Sequence, residues 1–344
     1  MDVIRLADGD RQWWDAYVAG SPYSTFFHLA GWAQVWQAAL GSRTHYLLAA
    51  DGDRVAGTLP LIHVRSRLSG HFLTSLPGGL CADDEATAAA LLERARELLH
   101  ETGARYLILR DGLHRWDLPG LVTNEDHCTF HVDLSGGVEE ARANLRRSTR
   151  KLSKRGLRAG VRAVPDQGAL DTFYPVYARA MRERGTPTPG KGFFHTAMQR
   201  FSERLVLLTI RREGEMLGGG FIAPFKDTIF CTWSGMPREH YDFYTSYLLY
   251  WGVIDYGCQH GLQRMDMGRC RRGSGSYDFK AGWGGEMQPL YQQYLLNGIE
   301  RPPKVGSSLQ EEAKYRLFFN VWQRLPLPLT EWLGPQLRKR MPFG

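Results

Sequence analysis

Two kinds of hydrophobic periodicity alternate along this chain, and their order recurs. Residues 45–50 (His-Tyr-Leu-Leu-Ala-Ala) predict a strand, Asp51–Arg54 a hairpin turn and residues 55–64 the returning strand. Residues 86–101 are rich in strong helix formers and set Leu91, Leu92, Ala95, Leu98 and Leu99 on one stripe. Gly103 stands where a helix ends, and Tyr106–Leu109 follows as a buried strand. The second half repeats this grammar. Leu205–Ile210 predicts a strand, Arg212–Glu215 a turn and Met216–Phe225 the return. A helix over about 243–260 then ends at Gly261, and Arg264–Met267 is again strand-like. The nearly constant spacing between the two series predicts a duplicated α/β domain. The expected boundaries are 1–137 and 138–300, with a C-terminal extension over 301–344.

Composition narrows the class. A chain of 344 residues with 43% hydrophobic and 12% aromatic side chains has enough apolar surface for two cores, which excludes a disordered protein. The net charge of +7 favours an anionic partner such as nucleic acid, phosphorylated lipid or nucleotide. Five widely spread cysteines without a C-x-x-C argue against a disulfide framework or a cysteine zinc site and suit a reducing compartment. The first residues lack the features of a signal peptide, and no eighteen-residue apolar run occurs, so a cytoplasmic protein is expected. Lys304, Leu325–Leu329, Trp332 and Arg338–Arg340 mark the extension as amphipathic. It either packs back on the domain or touches the inner face of an anionic membrane.

Charge and glycine single out two regions. Over 138–156 a basic helix is expected, and from Arg142 to Arg162 nine cations run without an acidic residue between them. Such a run is either a solvated face or, because like charges repel, an anion-binding face led by Arg146, Arg147, Arg150 and Lys151. Gly185–Gly192 has P-loop spacing but ends in glycine and holds two prolines, so it is rejected. His127 and His131 read as core or surface histidines. The remaining chemistry concentrates between residues 230 and 286. Trp233 lies near the end of a strand, and the helix that follows offers free N–H groups at its start beside Tyr244, Thr245, Ser246 and Tyr247. Asp266 ends a strand, and a basic glycine-rich loop with Arg269 leads to Asp278, Phe279 and Lys280.

Arg146–Lys151, Gly185-Thr186-Pro187, Tyr247–Trp251 and Phe279-Lys280-Ala-Gly-Trp283-Gly284-Gly285-Glu286 together resemble the FemAB family, with its tandem GNAT-like domains. The elements Trp322-Gln-Arg-Leu325-Pro326 and Leu333-Gly334-Pro335 are similar to those of FemAB-related proteins of PEP-CTERM and exosortase systems. The resemblance implies transfer of an acyl or aminoacyl group to an amine of a cell-envelope, exopolysaccharide or peptidoglycan precursor. It implies no cofactor. The donor is an anionic co-substrate, aminoacyl-tRNA or acyl-CoA, and the acceptor is carried on a lipid or nucleotide. Double-stranded DNA is not an expected partner. Lys280 is the expected electrostatic donor at the carbonyl, with Asp266 or Asp278 as proton acceptor or orienting group. Arg146, Arg147, Arg150, Lys151, Trp233, Tyr244, Ser246, Tyr247, Arg269 and Phe279 are expected to bind substrate. Two alternatives stay open. One is a simple acyl-CoA-dependent N-acetyltransferase, against which Gly235–Tyr241 lacks the paired glycines of the usual phosphate loop. The other is a non-catalytic binder of RNA or anionic lipid.

Overall fold

A computed structural model describes residues 1–52, 54–66, 70–303 and 313–339; Asp53, Lys304 and Arg340 lie outside the described residues. The elements begin with β1 (Asp2–Arg5), α1 (Arg11–Gly20), α2 (Gly31–Leu40), β2 (Arg43–Asp51), β3 (Arg54–Ser66) and β4 (Gly70–Ser75). β5 (Cys81–Ala82), α3 (Glu85–Thr102), β6 (Tyr106–Gly112), β7 (Leu121–Asp133), α4 (Gly137–Asn144) and α5 (Arg147–Arg158) follow. Next come β8 (Arg162–Pro165), α6 (Leu170–Glu183), α7 (Lys191–Arg200), β9 (Val206–Arg212), β10 (Glu215–Phe225) and β11 (Thr228–Gly235). The series ends with α8 (Thr245–Gln259), β12 (Arg264–Asp266), β13 (Cys270–Arg271), α9 (Gly275–Ala281), β14 (Glu286–Leu296), α10 (Ala313–Arg324) and α11 (Leu327–Arg338).

These elements form two compact units. The first contains Met1–Cys128 and the stretch that starts at Pro289; the second contains Thr129–Gln288 and the helices α10 and α11. In the first, β1, β2, β3 and β4 pair antiparallel in sequence, β4 runs parallel to β6, and β6 pairs antiparallel with β14. In the second, β8, β9, β10 and β11 repeat the antiparallel run, β11 runs parallel to β12, and β12 pairs antiparallel with β7. The path is the same twice. The duplicated mixed α/β fold expected from the periodicity is therefore present, strand for strand.

The expected boundaries shift for a physical reason. Thr129–Asp133 already belongs to the second unit, because Asp266 pairs with His131 and Met265 with Val132. Residues from Pro289 return to the first unit, where Leu295 lies opposite Leu107. Residues beyond 300 are not all an arm. Arg182 donates to the Leu325 carbonyl at 3.1 Å, Gln323 donates to that of Glu183 at 3.1 Å, and Phe319 lies over Gly185. Pro335 and Gly334 close over Gly190 and Thr188, so the P-loop-like stretch is covered by helices. The basic helix expected over 138–156 is two helices. Leu145 turns extended and buries its side chain, and the Arg146 N–H donates to the Gly282 carbonyl at 3.0 Å. No helix among the described residues is long and apolar enough to cross a membrane.

The first unit is held by its stripe of leucines. Leu91, Leu98 and Leu99 of α3 pack against Leu47, Leu59, Leu61, Leu107 and Leu109 of the sheet. Asp84 caps α3 by accepting from the Thr87 N–H at 2.7 Å, and Gly103 ends it in the left-handed region. On neighbouring strands, His63 Nε2 lies 2.7 Å from His71 Nε2 with the rings stacked. Burial, and next the charge of His71, lower the His63 pKa from 6.5 to about 4. The fold thus favours the neutral ring. The stability it contributes is complete above about pH 6.5 and declines as the pH falls toward about 4. Thermal unfolding followed across that window should show a shallower pH dependence for His63→Gln than for the parent protein. Parallel curves would show that this pair does not couple to folding.

Candidate active site

The second unit contains a place where two parallel strands part. β11 and β12 are in register only from Thr228 to Phe230 and from Arg264 to Asp266. β12 then stops, while β11 continues to Gly235 along β10, whose register shifts between Gly220 and Ile222. Such a divergence leaves backbone groups that need a partner. Lys280 of α9 supplies one. Its side chain is buried, and its ammonium donates to the Gly268 carbonyl at 2.5 Å and to the Arg269 carbonyl at 3.1 Å. Gly268 makes this approach possible. It sits at φ +76°, and a Cβ there would lie 3.1 Å from the Cys231 carbonyl oxygen and 3.9 Å from Nζ. A side chain there would be strained in backbone and crowded against that carbonyl, which favours glycine.

The equivalent place in the first unit carries the buried pair Arg110 and Asp111, 3.7 Å apart, rather than a lysine. There Ser75 Oγ accepts from the Arg110 N–H at 2.8 Å, and the Gly78 N–H donates to the Arg110 carbonyl at 2.9 Å.

Asp266 fixes the turn that carries Gly268. Its Oδ1 accepts from Thr129 Oγ1 at 2.6 Å and from the Gly268 N–H at 2.7 Å, and His131 Nε2 lies 3.4 Å from Oδ2. Burial alone would push this carboxyl up. The hydrogen bonds from His131, Thr129 and Gly268 outweigh it and hold the group below the ordinary carboxylate value. As a carboxylate so held, Asp266 positions the Gly268 turn, which agrees with the orienting half of its expected role. Asp278 is exposed in the first turn of α9, two residues from Lys280 and so on the opposite side of the helix. The expectation that it orients Lys280 does not fit this placement.

The aromatic floor comes from α8 and α9. Phe279 meets Tyr247 at 5.1 Å and Tyr250 at 5.4 Å between ring centroids, and fully buried Trp283 lies 5.6 Å from Tyr250. The first turn of α8 is therefore anchored beside α9. Tyr244 precedes it in the left-handed region, at φ 58°, without a side-chain cap on the helix. The N–H groups of Thr245, Ser246 and Tyr247 start α8 and have no intrahelical acceptor, which leaves them as the positive end of the dipole. Trp233 lies on β11 beyond its pairing with β12, edge-on to Phe193 and Phe194. Arg269 enters the site through its carbonyl on Lys280.

The basic face is divided by geometry. Thr149, Ser153 and Gly156 are buried where α5 meets α8, and a Cβ at Gly156 would run into Leu248. Arg146, Arg147, Lys151, Lys154, Arg155 and Arg158 are exposed, and none forms an ion pair among the described residues. Arg150 and Arg162 do different work. Arg150 donates to the carbonyls of Ala143 and Leu145, and Arg162 to those of Leu157 and Val161. Arg150 thus caps the end of α4 through Nη2 while remaining exposed.

Thr129 and His131 were not expected from the sequence. The signal was there: Cys128, Phe130 and Val132 alternate as buried apolar residues, which turns Thr129 and His131 together to the other face. Cys231 lines the divergence. Burial pushes its thiol up to about 12, against the opposing influence of Lys280.

Against known proteins, residues 139–281 match the family described as an acetyltransferase (GNAT) domain. That stretch runs from α4 to the end of α9 and so includes Asp266 and Lys280. Among solved structures the chain is similar to FemX, with a TM-score of 0.69 over 86% of this chain and 98% of that one at 15% identity. L-PGS from Bacillus licheniformis superposes with a TM-score of 0.57 over 92% and 97% of the two chains at 12% identity. A tandem GNAT protein from the clavulanic acid biosynthesis pathway gives 0.53 over 88% and 99% at 15% identity. No curated protein matches the sequence. At these identities the likeness concerns fold, and the fold is the tandem GNAT-like one.

Removing the Lys280 ammonium leaves the Gly268 and Arg269 carbonyls without this donor. Lys280→Met should lower unfolding stability by about 1–3 kcal/mol. Asp278→Asn should stay within about 0.5 kcal/mol of the parent. Denaturant unfolding of both variants checks the contrast, and equal stabilities would contradict the burial of Lys280.

Proposed function

We propose that this protein is an aminoacyltransferase of FemAB type, moving an aminoacyl group from tRNA to an amine of a cell-envelope precursor. The observation that carries this reading is the buried Lys280 ammonium at the divergence of β11 and β12, within the stretch that matches a GNAT acetyltransferase domain. FemAB-related proteins of PEP-CTERM systems, which the closing sequence elements resemble, suggest an exopolysaccharide or peptidoglycan precursor as acceptor.

The chemistry follows from these groups. The acceptor amine attacks the ester carbonyl carbon, and the carbonyl oxygen gains the negative charge. An ammonium fixed in a low-dielectric site stabilises that oxygen, because its orientation is set before the reaction begins. As the tetrahedral species collapses, the C–O bond to the ribose breaks. The proton lost by the amine passes to the departing ribose oxygen. The high thiol value of Cys231 favours direct transfer without an acyl-enzyme at that residue. The exposed cations of α5 suit a polyphosphate backbone, and the free N–H groups at the start of α8 suit a single phosphate or the carbonyl oxygen.

One observation favours tRNA over acyl-CoA. The segment before α8 carries carboxylates where a CoA pyrophosphate would meet backbone donors. The Arg238 N–H already donates to Glu183 at 2.8 Å, and Glu239 pairs with Arg179 and lies 3.4 Å from His240. The Arg238 N–H is thereby occupied, so a pyrophosphate at this segment would have to displace Glu183.

Two measurements test the reading. With radiolabelled aminoacyl-tRNA and an envelope-precursor extract, label should move to an amine product, whereas acetyl-CoA should neither transfer nor raise the melting temperature. Transfer from acetyl-CoA alone would overturn the choice of donor. In the same assay, Arg147→Glu combined with Lys151→Glu should raise KM for tRNA by about tenfold or more with little change in kcat, as lost uniform binding does. An unchanged KM at low salt would make α5 a solvated face.

A further inference from the structure

We propose that Tyr250 is a second catalytic residue, whose hydroxyl donates, together with the Lys280 ammonium, to the carbonyl oxygen that gains charge during acyl transfer. The proposal rests on the transferase reading, but not on whether an ester or a thioester supplies that carbonyl.

Position comes first. Tyr247 and Tyr250 stand one turn apart on α8, and both meet Phe279, at 5.1 and 5.4 Å between ring centroids. Tyr250 also lies 5.6 Å from Trp283, so its ring is held from two sides next to Lys280, the residue that follows Phe279. Tyr256, farther along the same helix, stacks on His260 at 3.8 Å instead. The ionisable groups that bear on the Tyr250 hydroxyl are Cys231, Arg184, Cys270 and Asp266. Asp266 and Phe230 form the last pair between β12 and β11, and Cys231 is the next residue along β11. Cys231 is itself under the influence of Lys280. The hydroxyl therefore reaches the gap where the two strands part, which is where the ammonium sits.

Chemistry follows from that position. Tyr250 is half-buried, and its hydroxyl makes no hydrogen bond to the described residues. Packed tyrosines normally find a partner for the O–H, so one without any is a donor held open for a ligand. Burial, more than any neighbouring charge, pushes the phenol well above its ordinary value, and the proton stays on the oxygen. Such a hydroxyl gives a hydrogen bond and keeps its proton, which suits an oxyanion and not a proton relay. Lys280 already donates to the Gly268 and Arg269 carbonyls and brings mainly its charge to the reacting oxygen. Tyr250 adds the directed hydrogen bond.

Tyr250→Phe tests the assignment, because it removes the oxygen and keeps the ring. Single-turnover transfer is measured with the envelope-precursor extract and whichever donor the parent protein uses, aminoacyl-tRNA or acetyl-CoA. The rate of the chemical step should fall about 10²-fold while donor affinity stays within about twofold. The melting temperature should not fall, since the fold loses no hydrogen bond. Tyr256→Phe should transfer at the parent rate. Parental rates in Tyr250→Phe would overturn the proposal and leave the transferase reading standing. So would a loss confined to donor affinity, which would make Tyr250 a binding residue alone, or an equal loss in Tyr256→Phe, which would make it an effect of α8 as a whole. Absence of transfer by the parent protein from either donor would overturn both readings together.

Discussion

A buried ammonium between two diverging strands is the constraint on which the second unit depends. Lys280 can sit there only because its charge meets the Gly268 and Arg269 carbonyls. Those carbonyls are in place only because Asp266 grips the Gly268 N–H, with Thr129 and His131 holding the carboxylate in turn. Burying a charge without such partners would be prohibitive. One arrangement therefore ties β7, β12, the glycine turn and α9 into a single polar network, with the aromatic floor of Tyr247, Tyr250, Phe279 and Trp283 packed around it.

The duplication makes the functional difference between the units readable. Both carry the same strand path, and both have a parallel pair that parts. In the first, a serine hydroxyl and a glycine N–H satisfy the open backbone locally, using residues next to the strand. In the second, satisfaction comes from a lysine on a later helix. The first unit keeps a buried Arg110–Asp111 pair at the corresponding place instead.

Much of the scaffold was legible in the sequence because its causes are local. The turn at Gly52, the leucine stripe of α3, the cap at Gly103 and the hairpin of β9 and β10 each follow from residues within a few positions. Lys280 could be picked out by its glycine-rich surroundings, but its burial could not. That depends on where β12 stops and on the left-handed turn at Gly268, both set by pairing with distant strands. Arg150 and Asp278 show the same limit from the other side. Their types suit ligand binding, yet one caps α4 and the other faces solvent, because helix phase and a break at Leu145 decide where a side chain points. Asp266 was legible as a site residue with an orienting role among its two options, but its partners on β7, more than a hundred residues away, were not.

The central claim is that the Lys280 charge acts on the reacting carbonyl as well as on the fold. Single-turnover transfer from aminoacyl-tRNA, measured on folded Lys280→Met well below its melting temperature, separates the two roles. The rate of the chemical step should fall by about 10²–10³ while tRNA affinity is retained. A folded variant that transfers at the parent rate would contradict the account and leave Lys280 a structural residue alone.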